Sequence, residues 1–174
     1  MDNVQTKTAV KVKIKPAAQI ALIGVVAAMY VVITAFIAPF SFGPVQLRLS
    51  EMLNHLAAFN KRYIVAVTLG VVIANMFFGL GIIDVIAGSL QTLIMTSLAY
   101  LLTRKVKSTI VKLSITTVIT TLMMWVIALE LPVVLHQKML FWPTYISLMI
   151  GELGSMVIGG VIVYALSKRV DLTE

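Results

Sequence analysis

Glu51, Asp84, Glu130 and Glu152 stand inside or at the ends of long apolar runs. A carboxylate in such a setting is costly, and it persists where it has a partner or a ligand to meet. When ionised it accepts hydrogen bonds, and its two oxygens can take a pair of N–H groups lying side by side. Amides accompany these acids: Asn54, Asn75 and Gln91. At helical spacing, Arg48, Glu51 and His55 share a face with Asn54 beside them, and Arg48 is placed for an outer-surface ion pair with Glu51. Asp84, Gly88 and Gln91 form a second stripe, in which Gly88 leaves room beside a ligand. This is the chemistry of holding a small polar molecule. Covalent chemistry has little support, because the chain has no cysteine and its histidines, His55 and His136, are far apart. No Walker A loop, H-E-x-x-H or G-x-S-x-G pattern occurs. Nor does spacing bring a nucleophile and a base together. The sequence therefore predicts no enzyme, no cofactor and no metal.

The elements that must position these groups lie in a membrane. Of 174 residues 60% are hydrophobic, against about 45–50% apolar in soluble domains, and mean hydropathy is +1.01. All of the 14 Lys and Arg residues except Arg48 and Lys138 fall in four short stretches: Lys7 to Lys15, Lys61-Arg62, Arg104 to Lys112, and Lys168-Arg169. Between successive stretches lies enough apolar chain to cross a bilayer and return, so all four belong on one face, which the positive-inside rule makes cytoplasmic. The net charge of +7 then answers to anionic lipid, and no nucleic-acid partner is expected. The reading is an all-α membrane protein of six transmembrane helices with both termini in the cytoplasm. The helices are expected at about Ala17–Ala38, Leu47–Phe59, Tyr63–Phe78, Ile83–Leu102, Thr109–Leu129 and Thr144–Ser167, with the longest loop from Glu130 to Pro143. Residues 1–16 form a basic tail, 17–168 the membrane domain and 169–174 a second tail. Both tails are expected to be cytoplasmic, in a multi-pass protein of the cell membrane.

With that orientation Glu51, Asp84 and Glu130 come near the outer surface. Glu152 follows Pro143 by nine positions, which puts it roughly 13 Å below the outer edge at ~1.5 Å per residue. Its face includes Tyr145, Leu148, Met149, Ser155 and Met156, a mixture suited to a flat ring. Asn75, near the outer end of the third helix, is placed to meet the polar face of the second. Trp125, Trp142 and Tyr145 share the outer interface, either as an aromatic belt or as stacking partners. Polarity thus gathers in the outer half, whereas a channel would carry it along the whole path. The pattern fits a pocket opening outward, with the Gly- and Pro-rich segment Phe40 to Gln46 as its lid. Small residues at helical spacing mark two seams. Gly151, Ser155 and Gly159 read as internal packing; Ala17, Ala21, Gly24 and Ala28 suit packing or a docking surface equally.

The run Pro39-Phe-Ser-Phe-Gly-Pro-Val-Gln-Leu-Arg-Leu-Ser-Glu-Met-Leu-Asn54, followed by Gly70-x4-Asn75 and Gly81-Ile-Ile-Asp-Val-Ile-Ala-Gly88, resembles the queuosine-precursor (QueT-type) family of energy-coupling factor (ECF) S components. The resemblance extends over most of the chain. It implies a six-helix substrate-capture subunit that works with a transmembrane coupling protein and two cytoplasmic ATPases. It also implies docking on that coupling protein through Ala17, Ala21, Gly24 and Ala28. The implied cargo is a deazaguanine, in its aminomethyl or cyano form. A carboxylate, Glu51 or Glu152, would accept the N–H and NH₂ of its guanine-like edge, and an amide, Asn54, Asn75 or Gln91, would donate to its carbonyl. Asp84 would meet a cationic aminomethyl group. Tyr145, Trp142 or Phe42 would stack on the ring, with Gly43 and Pro44 in the lid. The alternatives are a different vitamin or small polar nutrient in the same fold, or a non-transport scaffold whose polar groups only lock helices together.

Overall fold

The computed structural model describes residues 16–37 and 48–173. Among them every regular element is helical. The order is α1 (Pro16–Phe36), a 3₁₀ helix η1 (Leu49–Ala58), α2 (Arg62–Phe78), α3 (Ile82–Thr103), α4 (Thr109–Met123), α5 (Trp125–Val134) and α6 (Phe141–Ser167). Among the described residues four stretches are long and apolar enough to cross a membrane: α1, α3, the run Thr109–Val134 that joins α4 and α5, and α6. Four, not six, of the expected spans meet that measure. The 17 residues of α2 reach about 25 Å as an α-helix, and η1 is shorter still.

The second helix departs most from expectation. It forms as ten residues of 3₁₀ helix, in which positions i and i+3 eclipse. It lies at the centre, with α1, α2, α3, α4 and α6 all packed around it. Ser50, Glu51, Asn54 and His55 are each at most 3% exposed. Lipid cannot hydrogen-bond such groups, so an element this polar is stable in a membrane only when other helices enclose it. At its C-terminal end the Ala58 carbonyl, which no helical partner satisfies, accepts from Thr103 Oγ1 (3.1 Å) and Lys112 Nζ (3.2 Å). Lys112 is thereby buried rather than part of an exposed basic rim.

The expected loop from Glu130 to Pro143 is corrected to residues 135–140. The fifth helix is interrupted at Met124 but continues to Val134, because Leu131, Val133 and Val134 extend the apolar run past Glu130. Pro132 sits in the last turn of α5, and the helix runs two residues past it to Val134. Pro143 is the third residue of α6, where backbone N–H groups have no helical acceptor and proline is tolerated. Gly81 turns the chain between α2 and α3 at φ +115°, a conformation that favours glycine.

One core cluster joins α1, η1, α2, α4 and α6 through Val26, Tyr30, Leu56, Val67, Leu113 and Val163. A second holds Met124, Ile127, Leu131 and Leu148 between α5 and α6. The C-terminal residues pack back onto the first: Leu172 is 5% exposed, and Asn60 Nδ2 donates to the Thr173 carbonyl (2.8 Å).

Candidate substrate-binding site

A cleft opens among η1, α3, α5 and α6. It is lined by Arg48, Glu51, Gly88, Gln91, Thr92, Met95, Met124, Ile127, Leu148 and Glu152. Its free space is narrow, ≈ 10 Å³, about enough for one water. Two of its walls are carboxyl groups, and they differ. Glu51 is held on both sides, by the Tyr30 hydroxyl at Oε1 (2.7 Å) and by the Asn54 amide at Oε2. The eclipsed i, i+3 geometry of η1 puts Asn54 directly over Glu51. Glu152 is 3% exposed, with Thr120 beside it, and its Oε1 has no hydrogen-bond partner. Buried polar atoms are nearly always paired. An unmatched carboxylate oxygen in a lined cleft is therefore a place for a donor from outside the chain. Gln91 shares the cleft wall while its Nε2 donates to the Met123 carbonyl (3.0 Å), fixing the amide across the α4–α5 break.

Asp84 belongs to a different cluster. It accepts from Leu80 N (2.9 Å), from Arg48 Nη2 (3.3 Å) and from Asn75 Nδ2 (3.4 Å), and the same Asn75 amide donates to the Asp84 backbone carbonyl (3.1 Å). As the third residue of α3 it reaches back to Leu80, just ahead of the helix, much as a capping-box acid does, and its charge favours a helix N-terminus. Glu130 faces it from α5. The expected Arg48–Glu51 pair is thus corrected to Arg48–Asp84. The backbone of Arg48 is not helical (φ −89°, ψ 82°), so the i, i+3 spacing that suggested Glu51 does not apply. Asn75 likewise turns to α3 rather than to η1. Gly88 makes room, but for this amide: a Cβ there would lie 2.7 Å from Asn75 Nδ2.

Of the expected ligand residues, the structure gathers Glu51, Gln91 and Glu152 at one cleft, with Asn54 supporting Glu51. Asp84 and Asn75 are engaged with each other and with Arg48. Tyr145 and Trp142 are not at the cleft. The Tyr145 hydroxyl donates to the Leu122 carbonyl (2.8 Å) and its ring stacks on Phe141 at 5.6 Å, while Trp142 is 68% exposed. Phe42, Gly43 and Pro44 lie outside the described residues. Ala17, Ala21, Gly24 and Ala28 are all exposed along α1. Sequence reasoning missed Tyr30, Thr92, Met95, Met124 and Ile127. Thr92 and Met95 follow Gly88 and Gln91 at four-residue spacing, which could have found them. Nothing in an apolar run distinguishes Met124, Ile127 or Tyr30 from their lipid-facing neighbours.

No solved structure gives a significant match to the fold. The chain is 40% identical over 164 residues to the queuosine precursor transporter QueT of Lactococcus lactis subsp. cremoris, covering 89% of this chain and 95% of that protein. The model of a family described as QueT transporter matches residues 20–168, which take in α2 to α6, η1, the cleft and nearly all of α1. This multi-pass helical membrane protein belongs to the QueT transporter family.

Proposed function

We propose that the chain is the substrate-capture (S) subunit of an ECF-type, ATP-driven importer in the cell membrane. In this reading it takes a queuosine precursor, a deazaguanine base, from outside into the cleft between η1 and α6. The observation that carries the assignment of the site is Glu152, whose buried, unmatched Oε1 faces the same cleft as Glu51. The guanine-like edge of the cargo offers an N–H and an NH₂ side by side, which is the donor pair a carboxylate takes best. The cargo suggested by the name of the Lactococcus relative carries that edge. A fused ring needs more than ≈ 10 Å³, so Met95 and Met124 withdraw on binding, as unbranched flexible side chains can.

Orientation and topology follow the charge pattern. The chain crosses six times, α2 and η1 included, with both termini cytoplasmic and the segment Phe40 to Gln46 acting as the outer lid. ATP hydrolysis belongs to partners: two cytoplasmic ATPases and a transmembrane coupling protein that docks on Ala17, Ala21, Gly24 and Ala28. The capture reading is tested by isothermal titration of the detergent-purified protein with 7-aminomethyl- and 7-cyano-7-deazaguanine. Saturable binding of either, with guanosine and unrelated vitamins giving none, supports it. Binding of an unrelated vitamin alone would replace the cargo and keep the fold's role. No binding by a folded sample would move the assignment to a scaffold.

A further inference from the structure

Tyr30 is 2% exposed and among the largest wholly enclosed side chains in the protein. It belongs to α1, which contributes nothing to the lining of the cleft. Its ring is seated over Gly70 of α2, where a Cβ would lie 2.7 Å from Tyr30 Cβ and 3.0 Å from Cγ. That gap lets the ring pass between α1 and α2 and deliver its hydroxyl to Glu51 Oε1 at 2.7 Å. One turn further on, Thr34 Oγ1 donates to Ser50 Oγ (2.8 Å), a second polar link from α1 to η1. The opposite side of α1 is exposed: Gly24, Val25, Ala28, Met29 and Val32 all face outward. A single helix thickness therefore separates a cleft carboxylate from the surface of the molecule.

We infer that Tyr30 is a positioning residue that fixes the Glu51 carboxylate for the cargo and ties the placement of α1 to occupancy of the cleft. The inference rests on the capture reading above. Glu51 has one oxygen on Tyr30 and one on Asn54, so a ligand drawing on this carboxylate competes with, or strengthens, the Tyr30 bond. Glu51 cannot shift without either breaking that bond or carrying α1 with it. Because interiors are close-packed, the ring seated over Gly70 passes such a shift to the helix rather than absorbing it.

The chain has no cysteine, so Ala28→Cys supplies a sole thiol on the exposed side of α1. A nitroxide is attached to it in detergent, and the mobility of the label is measured by electron paramagnetic resonance in nanodiscs with and without 7-aminomethyl- or 7-cyano-7-deazaguanine, alongside binding titrations. The expected result is a nitroxide mobility that changes with ligand in Ala28→Cys and is unresponsive in Tyr30→Phe/Ala28→Cys. The double variant should still bind, about fivefold more weakly, as loss of one hydrogen bond predicts. A purely structural Tyr30 would leave the ligand response of the introduced thiol intact in the double variant, and that outcome overturns the inference. Binding to Ala28→Cys with no change in the mobility of the label overturns it too, leaving the capture reading standing. Absence of binding to Ala28→Cys and to the unmodified chain overturns both. Should Tyr30→Phe fail to fold, 3-fluorotyrosine at position 30 gives a ¹⁹F resonance, which ligand shifts if the inference holds and leaves in place if it does not.

Discussion

Asp84 and Glu152 are both buried acids in an apolar helix, and their surroundings set them apart. Asp84 receives a backbone amide, a guanidinium and a side-chain amide. Glu152 has an oxygen with no partner, in the wall of a cleft. Asp84 has its acceptors filled from within the chain, whereas Glu152 keeps one free beside open space, which under the proposed function is where cargo binds. Burial and residue type are alike in the two cases, so it is the accounting of hydrogen bonds that separates them.

The contrast is most exposed to test at Asp84. Asp84→Ala leaves the Arg48 guanidinium buried without its carboxylate and should cost on the order of 3–5 kcal/mol. A thermal melt in detergent checks this; a melting temperature unchanged from wild type would deny Asp84 its structural role. Glu152→Gln should leave the melting temperature within a few degrees of wild type. It should weaken deazaguanine binding on the order of a hundredfold, since a charge-assisted donor pair is lost, as titration would read. Gly88→Ala lies between the two clusters, because its Cβ displaces the Asn75 amide. A stability loss of about 1–3 kcal/mol from crowding is expected, with a smaller loss of binding.

Two seams of small residues repeat the contrast on a smaller scale. Gly151, Ser155 and Gly159 are buried on α6, which packs on η1, and a Cβ on Gly159 would come within 2.7 Å of Met52 Cα. Gly24 on α1 has nothing within 4 Å of that position. Gly159→Leu should therefore prevent folding or sharply lower the melting temperature. Gly24→Leu should change stability by less than about 0.5 kcal/mol and, under the proposed function, reduce co-purification with the coupling protein and ATPases. Retained co-purification in a folded Gly24→Leu variant would count against docking on that seam.

The helical, membrane-embedded character of the chain could be read from it, because apolar length is a property of sequence alone. The bounds of α2 and α3 fall within a residue or so of expectation for this reason. What escaped was set by tertiary contacts. The 3₁₀ winding of η1 belongs to an enclosed polar segment, and Pro132 has the sequence character of a breaker although α5 runs on through it. At the site, Glu51, Gln91 and Glu152 were legible as polar groups that an apolar helix has to account for. The pairing of Arg48 with Asp84 was not, since the non-helical backbone of Arg48 turns its side chain toward an acid 36 positions away. Tyr30 was not legible either, because its role depends on a gap at Gly70 in another helix.

Glu152 as the acid that cargo completes is tested most directly by thermal stabilisation of purified wild type and Glu152→Gln with 7-aminomethyl- and 7-cyano-7-deazaguanine, since a ligand that binds only the folded state raises the melting temperature by mass action. A concentration-dependent rise is expected with at least one of them in wild type, together with its loss in a Glu152→Gln protein that melts normally without ligand. An equal rise in both proteins, or none in a well-folded wild type, would contradict that role.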